Sequence, residues 1–536
     1  MKQMEKSRNV LLGGMLLLFI LSLFLNLPYI HLREFQGEEG RRVIIAKNMI
    51  ETGEWVVPYV EGKVYLNKPP LFNWLLAFVF QLTGVISETS ARTVSVIAAF
   101  LCAMSLSLFW KNIAKINTIR FILPGLIFLT FTDVMDKAIR AEIDMTFTFF
   151  VTISLIAWFH YFEIKKKEFT AWLIALSLIS LSTLTKGMQA PAFFYCGIIP
   201  YLFYKKQIKK IYSLSHCAGL FVFILIFAFW FVPFIGKIDP SDVFHAWFRE
   251  IIARKEPLSE GGFLRHLIEF PFQYVIAYLP WIPLLVLWFR KPLGKEPSIM
   301  KDLTIYCLFF LLVSFPIYWL LPGARLRYIM PLSGNLAILL TIPINAVMKG
   351  TIGDSTLSKR YFQAFGASVI LLVISSPFWS RKFALFEKPV SVTLLVILLL
   401  ISLFLVWRNR AMSKKIGLLF LITLLLKILW ASLYFPYHAD HLSHYRNAAK
   451  QINMLVPPDA RLYDYRVNNG HLAYYLQRPV VLLESFDNLV IENGSFVFME
   501  DKRAQGLALK GLAYTGKVGA RGMTLVLYRA DRGIQE

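Results

Sequence analysis

The sequence predicts an all-α polytopic membrane protein of about thirteen transmembrane helices. Interfacial amphipathic helices and a small C-terminal extracytoplasmic α/β domain complete the expected fold. Three observations carry this expectation. Of 536 residues, 57% are hydrophobic and only 17% are charged, against about 25% charged in a soluble domain. Mean hydropathy is +0.55, more apolar chain than one soluble core absorbs, so lipid must take it. Finally, the apolar residues fall in runs, and Lys and Arg fall in alternate loops between them.

The strong runs are 10–27, 94–110, 145–162, 220–235, 303–320, 390–407 and 416–435. Each approaches the roughly 20 residues needed to cross a bilayer. Fainter runs lie at 121–133, 170–185, 190–204, 272–289, 329–347 and 363–378. The N-terminus looks like a signal peptide, with Lys2, Lys6 and Arg8 before an apolar run. That run ends in Asn26-Leu27-Pro28 without a small-x-small cleavage site. An uncleaved first span is expected.

The net charge of +23 raises the question of nucleic acid. Its distribution gives another answer. Basic residues cluster at Lys111/Lys115/Arg120, Lys165–Lys167, Lys205/Lys206/Lys209/Lys210, Arg290/Lys291/Lys295/Lys301, Lys349/Lys359/Arg360 and Arg408/Arg410/Lys414/Lys415. The positive-inside rule makes these loops cytoplasmic. The N-terminus is then inside and, after thirteen crossings, the C-terminus outside. Topology and anionic headgroups account for the charge, and no nucleic-acid partner is expected. The four cysteines, Cys102, Cys196, Cys217 and Cys307, lie in or beside apolar runs without metal-ligand spacing. They read as small core residues.

This divides the chain into a transmembrane domain, 1–436, and a soluble extracytoplasmic domain, 437–536. Two further long outer stretches, 29–88 and 236–270, interrupt the first. Long outer and short inner loops put the machinery outside. In the first stretch Val43, Ala46 and Ile50 share a helix face, and Gly53 ends that helix. Pro69-Pro70 opens an apolar stretch over 71–84, too short to span, so an interfacial helix is expected. In the C-terminal domain 445–455 reads as a helix that Pro457-Pro458 breaks. Segments 461–465, 480–483, 495–499 and 524–528 read as strands.

The candidate residues lie at the outer ends of spans. Glu38 and Glu39 follow the first span, beside Arg41 and Arg42. Glycosyl or phosphoryl transfer to a hydroxyl needs a base on the acceptor and cations on the leaving phosphate. The bland alternative is a solvated helix N-terminus. Lys68, just before Pro69-Pro70, is placed to hold a lipid phosphate or to snorkel. Asp144 opens a run apolar to residue 159, where an acid is costly unless paired, functional or capping. Lys186, Arg325 and Arg327, the last beside Tyr328, are phosphate contacts or headgroup anchors. His266, near Arg254, Lys255 and Arg265, is a possible ligand or a structural histidine. Walker A, GxSxG and HExxH motifs are absent.

The segment Glu38-Glu39-Gly40-Arg41, then Met49, Gly53-Glu54-Trp55-Val56-Val57-Pro58 and Leu66-Asn67-Lys68-Pro69-Pro70-Leu71-Phe72-Asn73-Trp74 resembles the lipid A aminoarabinose transferases. These stand with the protein O-mannosyltransferases among the membrane-embedded GT-C glycosyltransferases. The resemblance is strongest over 30–110 and recurs at 141–149, at 184–187 and at 327–332. It implies inverting transfer of a sugar from a polyprenyl phosphate, such as undecaprenyl phosphate, to an acceptor hydroxyl on lipid A, another glycolipid, a glycan or a protein. The family's base, usually the Asp of an Asp-Glu pair, falls on Glu38, with Glu39 the alternative. Lys68 would hold the donor phosphate, Asp144 is the acid entering the fourth span, and Arg41, Lys186, Arg325 and Arg327 would add phosphate or acceptor contacts, with Tyr328 beside them. Asn67 stands where the aminoarabinose transferases carry a Glu that helps bind a metal, and His266 matches the family histidine with shifted spacing. No obligatory metal or other cofactor is therefore expected. The expected partners are a polyprenyl-phosphate-linked sugar, a lipid or glycan acceptor and membrane lipids, and the expected location is a bacterial inner membrane. A transporter or flippase of a lipid-linked glycan would instead put its acids at mid-membrane, as only Asp144 suggests. A non-catalytic scaffold would tolerate loss of Glu38, Lys68 and Asp144.

Overall fold

A computed structural model describes residues 2–253, 260–290, 297–351, 356–408, 411–441, 444–465, 467, 470–483, 494–504, 512–518 and 523–529. Among them nine helices are long and apolar enough to cross a membrane, and the chain is a multi-pass membrane protein. All seven strong runs are among the nine, as are the faint runs at 170–185 and 363–378. The other four faint runs are helical but short or bent. Ile119–Leu129 and Leu332–Met348 are short apolar helices, Gln189–Tyr204 has 16 residues, and Gly262–Ala277 with Ile282–Phe289 is a pair bent by 88°. Thirteen crossings are reached only by counting these four. Protein surrounds Leu332–Met348: every residue from Leu332 to Val347 is buried.

The elements that carry the site come early in the chain. Helix α1 (Lys2–Asn26) leads to α2 (Glu39–Thr52), which Gly53 ends with φ 70°. A hairpin of β1 (Tyr59–Val60) and β2 (Lys63–Val64) follows, then α3 (Leu71–Thr83). Both α2 and α3 bury one apolar face. Val43 and Ala46 of α2 meet Phe72, Leu76 and Phe80 of α3 and Ala91 and Val94 of α4 (Glu88–Ala114). The chain then folds through α5 (Leu123–Leu129) and α6 (Thr132–Lys137) into α7 (Ile143–Phe159) and α8 (Glu168–Lys186). The last membrane helix runs Met412–His441, past the boundary at 436.

The C-terminal unit is a five-stranded sheet of β3 (Leu462–Tyr465), β4 (Val481–Leu483), β5 (Phe496–Glu500), β6 (Leu512–Val518) and β7 (Met523–Arg529), in the order β4-β3-β5-β7-β6. Strand β3 is parallel to both neighbours, and the β5, β7 and β6 pairs are antiparallel. Helices Tyr445–Leu455 and His471–Leu476 cover one face. Four of the five strands match sequence expectations. Strand β6 does not, because as an edge strand with a single buried residue it shows no apolar alternation.

This unit sits on the first long segment. The Tyr445 and Arg446 amides donate to the Glu34 carboxylate at 2.8 and 3.1 Å. The Phe35 amide donates to the Tyr475 hydroxyl at 3.0 Å, and the Leu482 amide donates to the Glu61 carbonyl at 3.1 Å.

Candidate active site

Helix α2 starts at the acidic pair, and successive helical residues point about 100° apart. Glu38 and Glu39 therefore face different surroundings. Glu39 is fully buried. It accepts from Arg92 Nε at 2.8 Å and Nη2 at 3.0 Å, from the Gln36 amide at 2.9 Å and from the Ala141 amide at 2.9 Å. Arg33 lies 3.7 Å away. Burial alone would raise the Glu39 carboxyl, but Arg92 and Arg33 outweigh it and hold it at about 2. All its lone pairs are used inside the protein, so Glu39 ties the first loop to α4 and does not face the site. This corrects its place as the alternative base.

Glu38 faces a cavity of about 300 Å³. Its side chain is 29% exposed, with Oε2 2.9 Å from Arg41 and 3.9 Å from Arg42. Burial would raise this carboxyl too; Arg41, Arg42, Arg327 and Lys68 outweigh burial and lower it. Glu38 is thus ionised at neutral pH. Six basic side chains line the cavity: Arg41, Arg42, Lys68, Lys186, Arg325 and Arg327. The acids are Glu38, Glu142 and Asp144, with Tyr65, Asn67 and Tyr328 among the remaining lining residues. Residues up to 290 positions apart in sequence thus share one space.

Asp144 and Lys186 form a buried pair at 2.6 Å, each side chain 3% exposed. The ammonium lies over the Phe147 and Tyr328 rings, at 4.9 and 5.3 Å. Two opposite charges that close offset much of each other's desolvation. Glu142 is the acid that reading the sequence missed. It is buried and lies 3.3 Å from Lys137 and 3.6 Å from Arg327. It also receives the Glu38 amide at 3.5 Å. Gly37, at φ 60°, is needed beside it: a Cβ there would lie 2.6 Å from Glu142 Oε1. The signal was Glu142's place two residues before Asp144. Arg92 was missed because it opens an apolar run, where a charge is itself informative.

Lys68 donates to the Asn67 carbonyl at 3.1 Å. With Asn67 and Lys186 it also lines a second, mostly apolar cavity of about 320 Å³, bounded by Met188, Phe227, Trp247 and Tyr318. Trp247 belongs to the second long stretch and donates to the Leu66 carbonyl at 2.8 Å. His266 lines neither cavity. It sits on Glu260–Ala277 with its ring 5.1 Å from Phe270 and Nε2 buried without a hydrogen-bond partner. Of its basic neighbours in sequence, Arg254 and Lys255 lie outside the described residues.

Among the described residues no group of three or more His, Cys, Asp or Glu side chains forms a metal-ligand set. Each of the three cavity acids lies beside a cation.

Comparison with known proteins agrees with this architecture. Residues 67–232 match the family of dolichyl-phosphate-mannose-protein mannosyltransferases. An uncharacterized protein of Aquifex aeolicus is 25% identical over 445 residues, 81% of each chain. An undecaprenyl phosphate-alpha-4-amino-4-deoxy-L-arabinose arabinosyl transferase of Pseudomonas fluorescens is 26% identical over 339 residues, 61% of this chain and 58% of that protein. The chain thus spans little more than half the length of that relative. The crystal structure of ArnT from Cupriavidus metallidurans bound to undecaprenyl phosphate superposes with a TM-score of 0.70 at 16% identity, covering 96% of this chain and 98% of that one. Over nearly its whole length the chain thus has the fold of ArnT, and its residues 67–232 are similar to the dolichyl-phosphate-mannose-protein mannosyltransferase family.

Proposed function

We propose that this protein transfers a sugar from a polyprenyl-phosphate donor to a hydroxyl of a lipid, glycan or protein acceptor. The transfer takes place at the extracytoplasmic face of a bacterial inner membrane, with the N-terminus cytoplasmic and the C-terminus outside. The observation that carries this reading is the meeting of two cavities at Lys68 and Lys186. One is polar and holds an ionised carboxylate; the other is apolar and suits a polyprenyl chain. The relatives' names support it, since one acts with undecaprenyl phosphate and another structure holds that lipid.

In this mechanism the donor phosphate lies at Lys68 and Lys186, within reach of Arg325 and Arg327. The acceptor oxygen attacks the anomeric carbon from the Glu38 side. The bond from that carbon to the phosphate oxygen breaks, and the leaving polyprenyl phosphate keeps the electron pair. Glu38 takes the acceptor proton as the new glycosidic bond forms. The phosphate gains one negative charge in the process, which the cations stabilise; losing one such group costs about 100- to 1,000-fold in turnover. Asp144 holds the Lys186 ammonium in place. We infer no obligatory metal or other cofactor. The transporter reading leaned on Asp144, and its pairing with Lys186 on the same cavity speaks against it.

The test supplies purified protein with a mixture of polyprenyl-phosphate sugars and an envelope lipid extract, and detects products and released polyprenyl phosphate by mass. Wild type makes product, and folded Glu38→Gln and Lys68→Ala proteins do not. Equal product from the variants, or no donor consumed by wild type, sinks the transfer reading.

A further inference from the structure

The polar cavity holds more positive charge than a donor phosphate needs. Six basic side chains line it against three acidic ones. Each acid is already engaged: Glu38 by Arg41, Glu142 by Lys137 and Arg327, Asp144 by Lys186. A sugar joined to a polyprenol through a phosphodiester brings one negative charge. That charge belongs at Lys68 and Lys186, where the two cavities join. Arg41, Arg42 and Tyr65 line the polar cavity alone.

Arg42 gives the excess a location. The residue is 2% exposed. Its Nη2 donates to the Tyr65 hydroxyl at 3.1 Å and stands 3.9 Å from Glu38. Its Nε and Nη1 are buried and have no hydrogen-bond partner, and Arg327 Nε is in the same condition. An arginine does not shed its proton to escape such a position. A guanidinium with unmet buried donors on a ligand cavity is therefore built for an anion that arrives with the ligand.

We propose that the sugar delivered by the donor is itself acidic, of the uronic-acid class, with its carboxylate received by Arg42 beside Tyr65 while Lys68 and Lys186 hold the donor phosphate. This rests on the transfer reading above. It departs from the relatives whose names specify a 4-amino sugar: a protonated amine meets three carboxylates that are all engaged by cations. An anionic group on the acceptor would present the same chemistry to Arg42. The geometry points to the sugar, because Arg42 neighbours Glu38, and a phosphate nucleophile there, already ionised, would need no base.

The test uses the full-length protein in lipid nanodiscs and three short-chain polyprenyl-phosphate donors, bearing a hexuronic acid, the matching hexose or a 4-amino-4-deoxypentose. Binding is read by native mass spectrometry on Glu38→Gln protein, so turnover is not required. The uronate donor is expected to bind about 10-fold or more tighter than the hexose donor, as for a charge-assisted hydrogen bond. Arg42→Gln brings it to the hexose level, and Tyr65→Phe narrows the preference. Equal binding of uronate and hexose, tighter binding of the amino sugar, or an Arg42→Gln protein weakened equally toward all three overturns the proposal. Should Arg42→Gln not fold, the wild-type preference and Tyr65→Phe decide. Turnover by otherwise wild-type protein is compared on acceptors with and without phosphate. An Arg42→Gln defect seen only with the phosphorylated acceptor overturns the proposal and moves the anion to the acceptor. Bare undecaprenyl phosphate separates the two claims. If it does not bind, the transfer reading falls; if it binds and the sugars are not distinguished, only the acidic sugar falls.

Discussion

Replacing Glu38 and Glu39 one at a time should produce opposite defects. Glu39→Gln keeps one oxygen and puts an NH₂ where a carboxylate oxygen accepted from Arg92 Nη2 and the Gln36 amide. Arg92 and Arg33, 0% and 1% exposed, lose their counter-charge. Breaking a buried pair by removing one partner costs about 3–5 kcal/mol, and in a chain of this size that lowers the melting temperature by about 3–5 °C. Glu38→Gln loses a partly exposed contact with Arg41 at 2.9 Å, worth under about 1 kcal/mol, and a looser one with Arg42 at 3.9 Å. Its turnover should fall by about 100- to 10,000-fold, as for a missing general base. Thermal unfolding in one detergent and polyprenyl phosphate release in one lipid mixture read both quantities. Adding Arg92→Met to Glu39→Gln removes the orphaned charge and should recover part of the lost stability. The assignment is refuted if Glu39→Gln melts like wild type and loses more turnover than Glu38→Gln.

Three further outcomes follow from the same geometry. Asp144→Asn strands the Lys186 ammonium, now 2.6 Å from its carboxylate. It should destabilise the protein, and Lys186→Met added to it should restore stability in the same melting assay without restoring turnover. Burial pushes the Glu61 carboxyl up to about 7 against the lowering by Asp464 and Arg41, while burial and then the Glu61 charge push Asp464 up. A raised carboxyl pKa contributes stability fully below the unfolded value of 4.5 and loses it as pH rises through about 7. Hydrogen exchange at the Leu482 amide, bonded to the Glu61 carbonyl and corrected for intrinsic rate, should therefore speed up between about pH 4.5 and 7, and Glu61→Gln should weaken the dependence. Chelation of divalent metals by EDTA should leave turnover within about 2-fold, an effect small beside the loss of any phosphate-binding cation; a larger drop, restored by one metal, refutes side-chain-only catalysis.

Much of this architecture was legible because lipid forces long apolar runs to be helices. The boundaries of the interfacial layer were legible for local reasons as well. Gly53 and Gly84 sit at left-handed C-caps, and 13 residues of α3 do not span a bilayer. Eight candidate residues, Glu38, Arg41, Lys68, Asp144, Lys186, Arg325, Arg327 and Tyr328, line one cavity. The choice between adjacent acids was not legible. Glu39 points inward because Arg92 waits 53 positions later, hidden at the start of a span. Glu142 likewise gains its meaning from Lys137, Arg327 and the backbone at Gly37.

The position of Glu38 is thus fixed by parts of the chain that meet only when folded. From beneath, Glu39 binds α4 through Arg92. From the turn before α7, Glu142 receives the Glu38 amide. From the C-terminal unit, the buried His471 ring comes up to the Gly37 backbone. That approach requires a glycine beside it, since a Cβ on Gly470 would lie 2.6 Å from Ile44 and 3.5 Å from the Arg41 amide. Burial outweighs the raising by Glu39 and Glu38 and holds His471 at about 4, so it stays neutral where Glu38 is ionised and adds no competing cation. A base placed to within fractions of an ångström needs such bracing from several rigid elements. The soluble unit therefore belongs to the site as a brace, although none of its residues lines the cavity.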